Sequence, residues 1–270
     1  MATYPIYAKQ WLLLKNDLVA SLKLWRLWTH LGWGDLLKQY RRSFLGPVWI
    51  SLNTAVFIVL FSLIAAQLFK QSMETYLAYF CVGHVVFSFF SALVSEGCQT
   101  YISSEAFLKQ TPYPKLAFVL RVVWRNVLTL GHNLPIVLAV LAWTGQLWAV
   151  RLPWLMLGLL LTLLAGALVV AILGALAARF RDIPMIVSSL MQISFFITPV
   201  MWQSNQLTER AQLLVVWNPL AAYLDLLRMP LLGTAPRSDA ITLACATLVV
   251  LAGIFVLLYL NVRRRIVYWL

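Results

Sequence analysis

Charged residues are scarce in this chain: Asp, Glu, Lys and Arg make up 11% of its 270 residues, whereas hydrophobic residues make up 62%. A soluble domain carries about 25% charged residues, so the composition excludes an ordinary soluble fold. Cysteine is also scarce, and the three that occur are scattered without a CxxC pair. Their odd number and their spacing argue against a disulfide framework or a metal site, and indicate small packing residues.

Motifs for catalysis are missing as well. The sequence contains no GxxxxGK[ST] loop for binding phosphates and no HExxH motif. His84 and His132 lie in different apolar segments, and no carboxylate or histidine cluster marks one membrane face. We therefore predict that the chain is not an enzyme, has no catalytic residue and holds no metal or cofactor of its own.

What the chain does have is six long apolar runs. A helix needs about 20 such residues to cross a bilayer core of roughly 30 Å. The runs cover residues 48–69, 76–94, 127–143, 153–177, 185–201 and 241–260. The sequence predicts an all-α polytopic membrane protein with six transmembrane helices. Residues 1–46 would form a cytoplasmic amphipathic interface region, and residues 47–270 the transmembrane domain.

The formal net charge of +12 would suggest nucleic acid in a soluble protein, but here the cations follow the loops. Sixteen of the 21 fall on one side of the six predicted spans: Lys9, Lys15, Lys23, Arg26, Lys38, Arg41, Arg42, Lys109, Lys115, Arg121, Arg125, Arg179, Arg181, Arg263, Arg264 and Arg265. Basic loops stay in the cytoplasm. We therefore expect both termini to be cytoplasmic and expect no nucleic-acid partner.

The segment before the first span is predicted to be an amphipathic helix. Apolar residues recur there at helical spacing, and basic residues gather on another face: Leu18, Leu22, Trp25 and Trp28 against Lys23, Arg26 and His30. The segment is expected along the cytoplasmic membrane surface. Amphipathicity leaves two interpretations open, a moving gate helix and a simple membrane anchor.

Polar residues within the spans include Asn53 in the first and Ser189 and Gln192 in the fifth. Ser189, Gln192 and Phe196 share one helical face by their spacing. Such a face can line a wet path, or it can hold neighbouring helices together in lipid. Both interpretations stay open.

Two short cytoplasmic segments look suited to contact with another protein. In residues 103–115, Ser103 or Ser104 can cap a helix with Glu105 near its positive end. Residues 178–186 form a tight charged turn, with Pro184 opening the next helix. An ordinary positive-inside loop fits the charges of either segment equally well. On the other side of the membrane, residues 203–239 are too interrupted to span, which predicts re-entrant or interfacial half-helices.

Four stretches of the chain stand out: "DLLKQYRRSFLGPVW", "ARFRDIP" followed by "QISFFITPVMW", "WNPLAAYLDLLRMPLL" and "RRRIVYWL". Taken together they resemble the permease subunits of type-2 ABC exporters, in the branch that exports O-antigen, capsule and teichoic acid. The resemblance implies a homodimer in the bacterial inner membrane, with two copies of a separate ATPase that bind ATP and Mg. A lipid-linked glycan would pass between the subunits.

The resemblance also implies roles for particular residues. The ATPase contacts would be Ser103, Ser104, Glu105 and Phe107 in one segment and Arg179, Arg181 and Asp182 in the other. Independently of the resemblance, Gly46-Pro47 can break the backbone between a surface helix and the first span, which would place Tyr40, Arg41 and Arg42 at a cytoplasmic gate. The candidates for the channel lining come from the residues themselves, polar ones within the spans and aromatic ones whose faces suit the CH groups of sugars: Asn53, Phe57, Ser189, Gln192, Phe196 and Trp202. The alternatives are an ABC permease for a drug or lipid, and a membrane enzyme acting on lipid-linked sugars.

Overall fold

The structure of the protein, a computed structural model, describes residues 6–39, 41, 43–111, 113–203, 208–263 and 265–270. These residues form helices and connecting turns, without a strand in the described ranges. The α-helices are α1 (Ile6–Lys23), α2 (Trp25–Gln39), α3 (Val48–Leu68), α4 (Met73–Cys98), α5 (Glu105–Gln110), α6 (Leu116–Trp143), α7 (Leu152–Arg179), α8 (Ile183–Ile197), α9 (Glu209–Val216), α10 (Pro219–Leu231), α11 (Ser238–Val262) and α12 (Ile266–Trp269).

Five of these helices, α3, α4, α6, α7 and α11, are long and apolar enough to cross a membrane. They correspond to five of the six predicted spans. The remaining one, predicted at residues 185–201, is the 15-residue helix α8. At 1.5 Å per residue α8 is about 22 Å long, less than the bilayer core. It ends before Thr198, which is extended, because a residue preceding a proline disfavours the helical conformation.

The third predicted span begins too late. Helix α6 starts at Leu116, 11 residues before the predicted start at residue 127. The prediction placed Arg121 and Arg125 before this span, among the cations on the cytoplasmic side. In the structure both arginines lie on α6 and face carboxylates of neighbouring helices. Ion pairing therefore lets the helix continue through the charged stretch.

Helix α4 is the centre of the bundle. Within its most apolar stretch of 18 residues, 67% of the residues are buried, against 17% in the corresponding stretch of α3 and 11% in that of α11. It contacts α3, α6, α7, α8 and α10. Small residues permit the closest approach: a Cβ added at Gly97 of α4 would lie 3.0 Å from the Cα of Val170 on α7. Glycine at such a crossing lets two helix backbones approach in lipid.

The interrupted stretch that was predicted to form half-helices contains α9 and α10. Pro219 occupies the first turn of α10, and the Asn218 side chain accepts a hydrogen bond from the backbone of Leu220 at 2.9 Å. With 13 residues, α10 is about 20 Å long and too short to span. It nevertheless packs against α4, α7 and α11, and most of its residues are buried.

At the other end of the chain, α1 and α2 pack on α6 before the backbone turns into α3. Gly46 has a φ of +54° at this turn, a conformation that glycine adopts without strain. The turn lies at the predicted break between the interface region and the first span. The division of the chain into two domains at residue 46 stays a prediction.

Candidate functional site

A groove of about 590 Å³ lies between α4 and α8. Its α4 wall carries a polar stripe: His84, Ser88, Ser91 and Ser95 all line it. Their spacing of four, three and four residues places them on one face of the helix. The stripe is unusual on α4, because the opposite faces of this helix form much of the apolar core.

The α8 wall combines polar and aromatic side chains. Gln192 and Phe196, two of the predicted lining residues, lie here together with Ser188 and Phe195. Ser189 is exposed on α8 but is not part of the groove wall. The three-residue spacing that joined it to Gln192 in the prediction was therefore a poor guide, because the groove follows the neighbouring line of side chains.

Aromatic rings cluster around the groove. The Phe195 ring meets Phe87 edge-on, with centroids 5.3 Å apart, and Phe196 at 5.6 Å. Phe57, a predicted lining residue on α3, contacts the groove residue His84 with a ring separation of 4.8 Å. Phe57 therefore supports the wall and is not one of the residues that line it. The groove offers hydroxyl and amide groups beside apolar ring faces.

The other two predicted lining residues differ in position. Trp202 lies just beyond the groove, where its indole N–H donates to the backbone oxygen of Phe196 at 3.0 Å. Asn53 is exposed on α3 and does not line the groove. Of the six predicted lining residues, the structure thus places Gln192 and Phe196 on the wall, and Phe57 and Trp202 against it.

The loop after α8 is held in place at one end of the groove. The hydroxyl of Tyr76 donates to the carbonyl of Met201 at 2.8 Å, and that of Tyr79 to the carbonyl of Pro199 at 3.1 Å. Arg228 of α10 also donates to the Pro199 carbonyl, at 2.6 Å. Its guanidinium lies 4.2 Å from the centre of the Tyr79 ring and pairs with Asp225 at 2.9 Å. Buried groups from α4 and α10 thus fix this loop.

At the opposite end, Glu96 lines the groove, and its carboxylate accepts hydrogen bonds from side chains of α6. Arg125 reaches its carboxylate at 2.5 Å and 3.0 Å, and the amide of Asn126 donates to the same oxygen at 2.7 Å. Charge-assisted hydrogen bonds of this kind are stronger than neutral ones. The groove therefore ends on a carboxylate whose position depends on α6.

The ion pairs continue away from the groove. Arg121 binds Asp35 of α2 through two parallel hydrogen bonds of 2.6 Å and 2.7 Å. Arg125 lies 3.8 Å from the same carboxylate, and Arg121 also reaches the hydroxyl of Ser104, before α5, at 3.5 Å. We call Glu96, Arg125, Asp35 and Arg121 the ion-pair chain. It links the groove to α2 and to the first predicted ATPase contact.

Sequence reasoning missed the ion-pair chain. Arg121 and Arg125 are four residues apart, which places both on one face of a helix, but their partners Asp35 and Glu96 are 86 and 29 residues away. A weaker signal lay in Gly32, three residues before Asp35. A Cβ there would lie 3.0 Å from Trp124, so this glycine lets α2 approach α6.

The first predicted ATPase contact is a short helix, as expected, but the expected capping by Ser103 or Ser104 is not found. The Ser104 side chain makes no capping hydrogen bond to α5 and lies toward Arg121 instead, while Ser103 is exposed. The carboxylate of Glu105 binds Lys109 at 2.6 Å. The Lys109 ammonium, and Arg181 at longer range, hold the pKa of Glu105 below its ordinary value. Phe107 is exposed, with its ring 6.2 Å from Phe118.

The second predicted contact is a tight turn, also as expected, and Pro184 lies in the first turn of α8. The C-terminal helix α12 packs against this turn. The Arg179 guanidinium lies 5.3 Å from the Trp269 ring, and Arg181 donates to the Trp269 carbonyl at 3.5 Å. Asp182 is exposed. Because α12 contacts both α5 and α7, it joins the two predicted ATPase contacts into one surface.

The predicted gate is only partly described. Arg41 is exposed in the turn after α2. Tyr40 and Arg42 lie outside the described residues, so their place at a cytoplasmic mouth stays a prediction.

Comparison with known proteins supports the resemblance noted in the sequence. The family described as "ABC-2 type transporter" matches residues 26–232, which include α2, the groove and α10. An O-antigen export system permease protein RfbA from Myxococcus xanthus is 25% identical over 190 residues, covering 70% of this chain and 73% of that protein. A permease of the same name from Klebsiella pneumoniae is 21% identical over 192 residues, with the same coverage.

Proposed function

The chain belongs to the ABC-2 type transporter family, and we propose that it is the transmembrane subunit of an ATP-driven exporter of a lipid-linked polysaccharide. Both relatives described above are named O-antigen export permeases, so an O-antigen is the substrate we propose. Transport would run across the bacterial inner membrane. The family places the chain among transport subunits and not among enzymes.

The groove between α4 and α8 carries this proposal. A sugar presents hydroxyl groups around its edge and CH groups on its faces. The serines, Gln192 and Glu96 offer partners for hydroxyl groups, while Phe195 and Phe196 offer apolar faces for CH groups. Neither set requires one fixed register, which suits a polymer that slides. A drug or lipid would be better matched by a groove without the polar stripe.

A second copy of the chain would complete the path. In one chain the groove is open along its side, and α8 exposes large apolar residues beside it, including Leu190 and Ile193. A twofold-related copy would bring two grooves together around one channel, as closed symmetry allows. In this arrangement α8 is the sixth, incomplete span. The loop after it and α10 fill the remaining depth as re-entrant segments covered by protein.

Energy would come from two copies of a partner ATPase, which bind ATP and Mg. We place them against α5 and the turn between α7 and α8, with both termini on the same cytoplasmic side. The ion-pair chain supports this placement, since Arg121 contacts Ser104 beside α5 and its neighbour Arg125 holds the groove residue Glu96. Movement of α5 would then reach the groove through α6.

The test is export in cells that assemble the polysaccharide. Deleting the chain should leave the glycan inside, and the purified chain should retain the ATPase encoded beside it. The double variant Gln192→Leu/Phe196→Ala should lower surface polysaccharide about tenfold, since a loss of about 1.4 kcal/mol in a transport barrier has that effect. Ser189→Ala, one helix position outside the groove, is the matched control. Unchanged export in the deletion strain would overturn the proposed function.

A further inference from the structure

A second cavity, of about 610 Å³, lies where three parts of the chain meet. Its walls come from α1, from the end of α5 with the residues after it, and from the C-terminal segment. None of its lining residues belongs to the groove between α4 and α8. The proposed transport path therefore does not account for this cavity.

The cavity walls carry an excess of positive charge. Lys109, Lys115 and Arg263 line it together with one carboxylate, Asp17. Asp17 is already engaged: the Tyr259 hydroxyl donates to one of its oxygens, and the Arg263 guanidinium lies 3.3 Å from the other. Lys109 pairs with Glu105. The positive charge left over is that of Lys115.

Lys115 is held by a backbone group rather than by a counter-ion. Its ammonium donates to the carbonyl of Arg263, and in the described ranges of the chain it makes no ion pair with a carboxylate. Burial, and then the neighbouring Arg263, lower the pKa of Lys115. An anion bound in the cavity would relieve both effects, because opposite charge favours the protonated ammonium.

Helix α1 places the cavity beside lipid. The face of α1 toward the protein is buried and includes Leu14, Asp17 and Ser21. The opposite face leaves large apolar side chains exposed: Trp11, Leu12, Leu18, Val19 and Leu22. A helix with such a face lies in the headgroup region of a membrane. A ligand that reaches the cavity past α1 therefore comes from the bilayer surface.

We propose that this cavity binds the phosphate of a membrane lipid, with Lys115 as the main contact and Lys109 and Arg263 at its sides. A phosphate oxygen accepts hydrogen bonds from ammonium and guanidinium groups and is the anion that a bilayer surface supplies. Two sources share this chemistry: the headgroup of an anionic phospholipid, and a long-chain lipid diphosphate such as a glycan carrier. The site is separate from the proposed transport path.

The test is lipid retention by the full-length chain, measured by native mass spectrometry after transfer from nanodiscs of defined composition. From phosphatidylcholine containing phosphatidylglycerol, the wild-type chain should retain phosphatidylglycerol selectively. Lys115→Gln should lower its affinity about tenfold, since a hydrogen bond between charged groups is lost. Lys115→Arg should keep the affinity for phosphatidylglycerol, because the positive charge remains. Lys15→Gln, on the exposed face of α1, removes a cation outside the cavity and should have little effect.

A second variant tests the cavity in case Lys115→Gln fails to fold. Lys109→Gln changes an exposed cavity residue without disturbing the Lys115 contact to the backbone, and should also weaken retention, by a smaller factor. Displacement of phosphatidylglycerol by farnesyl diphosphate would identify a lipid diphosphate as the source, and failure to displace it a phospholipid. Equal retention by the wild type and both glutamine variants would overturn the proposal. The proposal would also be overturned if a glutamine variant retained phosphatidylglycerol normally but no longer bound the ATPase. That result would indicate that the cavity binds an acidic protein partner instead.

Discussion

The two ends of the groove are held by different kinds of interaction. At the end near α10, the loop after α8 is bound through its backbone carbonyls by Tyr76, Tyr79 and Arg228. At the other end, the ion-pair chain connects side chains only. In the first set Tyr79 and Arg228 donate to the same carbonyl, that of Pro199, and the side chains of Tyr76 and Arg228 are buried. The second can exchange partners, because Arg125 lies within ion-pair distance of both Glu96 and Asp35.

This difference separates a fixed end from an adjustable end. Arg228 is 2% exposed and Asp225 is 5% exposed in their side chains, so moving either would leave a charge away from water with one fewer partner. The side chain of Glu96 is 40% exposed, and its charge can be solvated while the helices shift. We expect changes at the fixed end to act on stability, and changes at the adjustable end to act on transport.

The largest effect on stability is expected from Arg228→Leu. The substitution leaves the Asp225 carboxylate buried with one fewer partner and removes a donor from the Pro199 carbonyl, which costs about 3–5 kcal/mol for a buried pair. The thermal midpoint of the purified chain in detergent measures this. Arg237→Leu is the control: it removes the other partner of Asp225, at 3.1 Å, but its side chain is 38% exposed. An unchanged midpoint in Arg228→Leu would abolish the distinction between the two ends.

An intermediate effect is expected from Asp35→Asn. Arg121, whose side chain is 11% exposed, would lose a two-bond charged partner, at a cost of about 1–3 kcal/mol. Because Asp35 joins α2 to the ion-pair chain, export should fall more than stability does. The double variant Asp35→Asn/Arg121→Gln removes both charges and should recover part of the stability in a double-mutant cycle. Strict additivity of the two single changes would show that this pair is not coupled.

The smallest effect on stability is expected from Arg181→Glu, at the exposed turn between α7 and α8. Its hydrogen bond to the Trp269 carbonyl is long and exposed, so the loss should stay below about 1 kcal/mol. Reversal of charge at the proposed ATPase contact should nevertheless lower coupled ATPase activity and export. Membrane insertion, followed by fractionation, should be normal. Full coupled export in this variant would remove Arg181 from the mechanism.

Local sequence signals predicted much of this architecture. The apolar runs located five spans, and Gly46 with Pro47 located the break before α3. The length of α8 was misjudged because apolar composition continues past Thr198, where the backbone no longer forms a helix. The start of α6 was misjudged because ion pairs with α2 and α4 cannot be seen in the charges of α6 alone.

The candidate site was predicted less completely. Gln192 and Phe196 were found because they share a face of α8, but Ser189 shares that face without lining the groove. The serine stripe of α4 and the link between Asp35 and Arg121 depend on which helices are neighbours. Helix neighbours are set by packing, for which Gly32 and Gly97 give only faint signals in the sequence.

The central claim is that the polysaccharide passes along the groove between α4 and α8. A photo-crosslinking amino acid placed at Gln192, in cells exporting the polysaccharide, tests it directly, with the same group at Ser189 as the matched control. The account predicts that glycan becomes attached to the chain from position 192 and only weakly from position 189. Equal attachment at both positions, or attachment from position 189 alone, would contradict it.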